Sequence, residues 1–312
     1  MTRKKSFHIL IVFGFLFGAT LLAGAAQAGS NNGVAAADFL NIGVGARAAA
    51  LGGAYTSIAN DATASYWNPA GLVSIASPQI AFSHFAWYQD MNFEYLSIAY
   101  PVSEKLTLGV GTSYLSYGAI EGYDEYDNPT GELSSTFDMA VGLSAAYRTS
   151  ERLSLGLTAK YIMESLTDVK ATAIAVDMGA TYSLNRLTLG VAAVNLGQNL
   201  KFDQTEERLP AAIRAGVSMI FFDSKVLASL ETVNQIHGDF SVRNGYEIGF
   251  QNKYYLRAGY ALYPQQEGRQ LGQSLSFGAG ALVGPAHFDY TFSPQEKTSS
   301  EDLHRFSVII DL

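Results

Sequence analysis

Few residue constellations in this chain could carry chemistry. Gly43-Val44-Gly45-Ala46-Arg47-Ala48 has the G-x-G-x-x-A spacing that brings a backbone close to a pyrophosphate, and Asp61 lies near the position of a ribose-binding acid. That fingerprint acts only where a strand leads into the glycine turn and a crossover helix follows, and nothing downstream reads as such a helix. The glycines are read instead as points of close backbone packing or of positive φ. The histidines beyond the leader, His84, His237, His287 and His304, are scattered, with no H-E-x-x-H, nucleophile elbow or phosphate loop. The chain is therefore read as a non-enzyme with no cofactor and no metal centre. The acidic run Glu121-Gly122-Tyr123-Asp124-Glu125-Tyr126-Asp127-Asn128 leaves two readings open. One is a solvated turn ended by Pro129 and Gly131; the other is a loose Ca²⁺ site or a divalent bridge to lipopolysaccharide.

The elements that would position these residues are strands. From Pro78 to Leu312 the sequence divides into fourteen stretches of alternating apolar and polar residues. Leu153, Leu155, Leu157, Ala159, Tyr161 and Met163 share one face, while Ser154, Gly156, Thr158, Lys160 and Glu164 share the other, with Ile162 out of place. Most stretches are about ten residues long, enough for a tilted strand to cross a bilayer. On most strands charge stays off the apolar register, as in Leu187, Leu189 and Val191, where a cation at mid-membrane would cost about 2 to 4 kcal/mol. The connections alternate too. Those near Ser103, Thr149, Asn185, Asp223, Asn252 and Gly284 hold two to four residues, and the intervening ones include Gly118 to Leu133, Gly197 to Arg208, Pro264 to Gly272 and Ser293 to Asp302. Short turns at one end and longer loops at the other are the pattern of an outer-membrane up-and-down barrel. The expected fold is all-β: a transmembrane antiparallel barrel of 14 strands over 78–312, with an N-terminal hatch inside its lumen.

Residues 1–28 read as a signal peptide, with Arg3, Lys4 and Lys5 before an apolar run and Ala26-Gln27-Ala28 as a small-residue cleavage site. Its removal near Ala28 would place the barrel in a Gram-negative outer membrane, amino terminus on the periplasmic side, in contact with lipid and lipopolysaccharide. The whole chain has 20 basic and 28 acidic residues. Loss of three basic residues makes it still more acidic, which excludes nucleic acid as a partner. With no cysteine among its 312 residues, stability rests on packing and hydrogen bonding.

Residues 29–77 contain 20 Gly or Ala. They are too few for an independent core, and the lumen of a fourteen-strand barrel needs a filling, so this segment is expected to be the hatch. Its Asp38, Arg47 and Asp61 are expected to dock it on lumen charges among Asp138, Arg148, Lys160, Glu164, Asp177, Arg214, Glu231, Glu247, Arg257, Asp289 and Arg305, because buried charge persists when paired. Tyr66, Trp67, Arg214 and Arg257 are the candidate surface for a small hydrophobic ligand.

The stretch from Asp38 through Gly43-Val44-Gly45-Ala46-Arg47, Leu51-Gly52-Gly53-Ala54-Tyr55 and Asn60-Asp61-Ala62 to Tyr66-Trp67-Asn68-Pro69-Ala70-Gly71-Leu72 closely resembles the amino-terminal signature of the PorV/PorQ group, within the FadL-like superfamily of long-chain fatty-acid transporters. The resemblance implies a fourteen-strand barrel whose hatch carries the Asn-Pro-Ala element. For the transport branch it implies passive, hatch-gated movement of a hydrophobic molecule and sideways exit through a kinked third strand, here Leu106 to Tyr117. Gly109 and Gly111 would supply the kink, with Asn68 and Pro69 at the gap; close packing against the hatch is the other reading of those glycines. The PorV side implies a non-conducting scaffold that holds secreted client proteins for a type IX secretion apparatus.

Overall fold

The computed structural model describes residues 36–86, 91–124, 126, 128–167, 169–202, 205–222, 225–263, 275–294 and 302–312. The expected signal peptide and the Pro264 to Gly272 loop lie outside them. Sixteen strands occur: β1 Gln79–Ala86, β2 Asn92–Pro101, β3 Leu106–Tyr123, β4 Pro129–Arg148, β5 Leu153–Leu166, β6 Val169–Leu184, β7 Leu187–Gly197, β8 Leu200–Phe202, β9 Thr205–Glu207, β10 Ala212–Phe221, β11 Val226–Gln235, β12 Phe240–Phe250, β13 Tyr254–Leu262, β14 Leu275–Val283, β15 Ala286–Ser293 and β16 Leu303–Asp311. β8 and β9 form a separate hairpin. The other fourteen close into one antiparallel barrel, sealed where β1 pairs with β16. Gaps of two to four residues separate the strands at one end, at the six places the sequence marks.

Alternation sets the two faces, because a strand's side chains point to opposite sides with period two. Leu143, Leu155, Leu157, Ile174, Val191 and Leu256 project outward and are exposed, whereas Thr158, Lys160, Asp177, Glu231 and Arg257 are buried inward. Ile162, out of step in polarity, is fully buried on the inward face, where it joins the hatch core. Exposed Tyr100, Tyr147, Tyr182, Phe222 and Tyr254 ring the short-turn end, the place of an interfacial girdle. Leu143, 66% exposed in mid-strand, gives a direct test of the outer face. Leu143→Arg should destabilise the barrel in lipid by about 2 to 4 kcal/mol, read from its unfolding midpoint in vesicles; an unchanged midpoint would place water against that face.

Residues 118–133, expected as a loop, are mostly strand. Gly118 adopts φ 79 and the β3–β4 register slips between Ser116 and Ala119, after which pairing resumes at Ala119↔Ser135. A bulge breaks the side-chain alternation without ending the backbone ladder, so the pattern stops before the strand does. The connection shrinks to residues 124–128, where the Asp124 carboxylate accepts the backbone N–H groups of Tyr126 and Asn128. Bonds from the backbone and side chain of Asn128, then from the Tyr126 backbone, hold the Asp124 carboxyl below its usual range. Asp124 thus ties the connection into a turn.

Inside the barrel, the chain from Ala36 to Ser77 passes from the long-loop end, where Ala36 N–H donates to the Arg208 carbonyl at 3.0 Å, to the short-turn end, where β1 begins. The amino terminus itself falls outside the described residues. The segment contains two short helices, α1 Ala46–Ala50 and α2 Ala64–Trp67, and 3₁₀ turns at Asp38–Asn41 and Pro69–Ser74. Trp67, Tyr55, Leu51, Leu72 and Val44 are almost fully buried and make the molecule's core within the bore.

Candidate functional site

The hatch meets the wall backbone to backbone because the wall carries glycine where they touch. A Cβ at Gly156 would overlap Ala70 N, at Gly179 the Asn68 side chain, and at Gly259 the Gly52 N. At Gly190, Gly245 and Gly278 it would come within 2.5 to 2.6 Å of Thr56 O, Leu51 O and Ala50 Cβ. These six glycines come from β5, β6, β7, β12, β13 and β14, so they form much of a belt around the bore. Between them, hydroxyls bond the hatch backbone: Ala46 N–H donates to Ser307 Oγ at 3.0 Å, Thr291 Oγ1 donates to Ala46 O, and Ser276 Oγ donates to Ala50 O at 3.2 Å. The main-chain groups of an irregular segment are thereby satisfied inside a membrane-depth bore.

The aromatic residues singled out in the sequence do come together. Tyr66 and Trp67 pack edge to face at 5.1 Å, and the Arg214 guanidinium lies over both rings, at 5.4 and 5.1 Å. Tyr66 Oη donates to Leu40 O at 2.8 Å and Trp67 Nε1 to Val44 O at 3.0 Å, which fixes both rings. Arg214 Nε and Nη1 find no hydrogen-bond partner among the described residues. Lys160, 5.9 Å from the Tyr66 ring, pairs with Asp177 at 2.6 Å and donates to Asn195 Oδ1 at 2.8 Å.

Asn68 and Pro69 do not sit at a gap. Asn68, fully buried, donates to Thr56 O at 2.9 Å and Ala180 O at 3.2 Å, while its Oδ1 accepts the Ala70 N–H. Its wall neighbours are Gly179 and Ala180 of β6, not β3. From Thr107 to Ser116, β3 pairs without interruption with both β2 and β4. Gly109 and Gly111 therefore make no kink. A Cβ at Gly109 would come 3.0 Å from Ser65 Oγ, and one at Gly111 would come 2.7 Å from Tyr95 Oη, so both glycines make room for side chains packed inside the bore. Glycine signals either a bend or a close approach, and here the second applies.

The docking residues divide. Arg47 binds Glu247 of β12 with two parallel bonds, Nε to Oε2 at 2.9 Å and Nη2 to Oε1 at 3.0 Å. Glu247 also accepts Arg257 Nε at 2.6 Å, and Arg257 Nη1 pairs with Asp289 at 2.6 Å. Arg257, expected on a ligand surface, is thus one link in a charge chain that runs from the hatch through three strands. Asp61 stays within the hatch: it accepts Tyr55 Oη at 2.6 Å, and Tyr55 Oη in turn accepts from Arg47 Nη1 at 3.2 Å. Asp61 also accepts from the Thr63 backbone and hydroxyl, so its hydrogen bonds stay within the hatch. Asp38 accepts Asn41 Nδ2 at 2.6 Å within its own exposed turn, so it docks nothing. Sequence reasoning missed further ties, two of them to hatch carbonyls: Arg148 Nη2 donates to Val73 O at 2.7 Å, and Arg305 Nη1 donates to Gly43 O. Both residues were recognised as inward-facing charges, but carbonyl partners leave no mark in a sequence.

Two cavities flank α1. The upper one, 470 Å³, opens toward the long-loop end between Trp67, Phe85, Arg243 and Arg305, with Ala49, Gly52 and Gly53 as its floor. The lower one, 320 Å³, lies toward the short-turn end and is lined by Arg47, Asp61, Glu247, Arg257 and Asp289.

Solved outer-membrane transporters share this barrel fold with the chain. The chain superposes on the toluene transporter TbuX of Ralstonia pickettii with a TM-score of 0.63 at 16% identity, covering 86% of this chain and 98% of that one. The toluene transporter TodX of Pseudomonas putida gives 0.59 at 14% identity, over 86% and 97%. A FadL homologue of Pseudomonas aeruginosa gives 0.51 at 11% identity, over 83% and 96%. In sequence, residues 18–167, just under half of the chain, match the model of an uncharacterised protein family, UPF0164. A UPF0164 protein of Treponema pallidum (strain Nichols) is 28% identical over 173 residues, which cover 50% of this chain and 43% of that protein. The matched region therefore spans less than half the length of this relative.

Proposed function

We propose that the protein is an outer-membrane channel through which small hydrophobic molecules pass passively when its amino-terminal hatch moves. The observation that carries this reading is the pair of cavities on either side of the hatch, the upper one walled by Trp67 and Phe85. Neighbours of the same fold described as toluene transporters and a monoaromatic hydrocarbon channel support it. In this reading the leader is removed near Ala28, the short turns face the periplasm, and the long-loop end meets lipopolysaccharide. Uptake of the neutral probe N-phenyl-1-naphthylamine into lipopolysaccharide-containing vesicles should be faster with the purified protein than without it. Removing Asn68 to Leu72, which lock the hatch to β5 and β6, should change that rate. Equal rates in empty and protein-bearing vesicles would end the reading.

One observation favours a second reading, a non-conducting scaffold for secreted clients as in the PorV group: each of the fourteen strands is paired with both neighbours around the whole wall. Recovery of a secreted protein crosslinked at residues 124–128, together with no probe flux, would select it.

A further inference from the structure

Among the described residues the wall offers no sideways exit. Fourteen seams close the barrel, and among the described residues register shifts occur only in β3–β4 beyond Ser116 and in β6–β7 between Val176 and Met178. The second shift is filled from within, where Asn195 N–H donates to Asp177 Oδ1 at 2.7 Å and Asp177 holds Lys160. To leave between strands, a molecule would have to break ladder hydrogen bonds facing hydrocarbon, each costing several kcal/mol.

Along the bore the barrier is thin. The upper cavity rests on Ala49, Gly52 and Gly53, and the lower cavity reaches Arg47 of the same helical turn. Both lie against β12, β13 and β16, with Arg243, Ala261 and Arg305 above and Glu247, Arg257 and Ile309 below. One turn of helix, α1, separates them. Their linings also differ from what a hydrocarbon needs: guanidinium groups of Arg243 and Arg305 stand beside Trp67 and Phe85 above, and the lower chamber is walled by charge. Fixed charges that a neutral hydrocarbon cannot solvate favour a molecule with a polar group of its own, and two guanidiniums against the single carboxylate of Asp38 select an anion.

Resting on the channel reading above, we infer that cargo crosses axially, from the upper cavity past α1 into the lower one, and that it is a small amphiphile pairing an aromatic-sized apolar body with an anionic group. The chain's lack of cysteine allows α1 to be pinned cleanly. Ala46→Cys with Ser307→Cys joins α1 to β16 where Ser307 Oγ already accepts the Ala46 N–H. Ser65→Cys with Gly111→Cys pins the other half of the hatch, since a Cβ at Gly111 would lie 3.6 Å from Ser65 Cβ, within disulfide reach, and the Tyr95 hydroxyl 2.7 Å away must shift equally in the oxidised and reduced forms.

Each variant serves as its own control, oxidised and then reduced, in vesicles loaded with 1-naphthalenesulfonate, an aromatic anion that bare bilayer retains. The wild type should release the sulfonate, and the oxidised α1 pin should slow release about tenfold, with recovery on reduction, because closing elements set transport rates. The Ser65–Gly111 pin should change release by less than about twofold, and Arg243→Gln should slow it about fivefold by removing an anion partner. Release indifferent to the α1 pin, or a wild type that passes N-phenyl-1-naphthylamine but not the sulfonate, would overturn the inference and leave the channel reading standing. A wild type that passes neither would remove both.

Discussion

Gly259→Val should expel α1 from its seat while leaving the barrel intact. The new Cβ would fall on the Gly52 nitrogen, with Leu51 C and Ala50 O close behind, and all three are main-chain atoms that cannot rotate away. Overpacking against side chains costs about 1 to 3 kcal/mol, and against two rigid backbones the cost should reach or exceed the top of that range. The outer face of β13 keeps Leu256, Ala258 and Tyr260, so insertion into lipid is untouched. Arg47 is the only Lys or Arg between Ala36 and Ser77, and it is held inside the bore, which makes trypsin a direct reporter. The wild type should resist cleavage at Arg47, and Gly259→Val should be cut there under the same conditions with its strands uncut. Gly216→Ala is the matched control, since its Cβ would meet nothing closer than 3.4 Å. Equal resistance in wild type and Gly259→Val would show that the glycine belt does not seat the hatch.

Glu247→Leu should be the most damaging single change among the charges. Glu247 is shared by Arg47 and Arg257, both from 2.6 to 3.0 Å away. Without it Arg257 keeps Asp289, but Arg47 retains only Tyr55, Asn60 and a distant Asp61 at 4.0 Å. Stranding a buried cation costs about 3 to 5 kcal/mol, and adding Arg47→Met should recover much of it, because replacing a whole buried ion pair by apolar residues is often nearly neutral. A double-mutant cycle on the unfolding midpoint in vesicles measures this coupling. Strict additivity of the two losses would mean that Arg47 and Glu247 do not hold hatch to wall.

Strand number, the alternation of short and long connections, and the inward set of charges were legible because each follows from a period of two along one strand. The same locality explains what was not. Beyond Gly118 the chain keeps its ladder but loses alternation at a bulge, so β3 and β4 look shorter in sequence than they are. The ion-pair partners of Arg257, Glu247 and Asp289, could not be read because they are set by the register of three strands. Glycines on the inward register were visible one by one. That Gly156 meets Ala70 and Gly259 meets Gly52 could not be read, since main-chain contacts between distant segments carry no residue-type signal. Gly109 and Gly111 show the same ambiguity: a bend and a close approach select the same residue.

The segment from Ala36 to Ser77 fills the bore, and on the channel reading proposed above the bore opens when that segment moves. Ion conductance across a planar bilayer tests it most directly, since an unobstructed bore of fourteen strands would pass salt continuously. The wild type should give no sustained conductance steps, and Gly259→Val should give them under the same voltage and salt. Sustained open-pore steps from the wild-type protein would contradict the account.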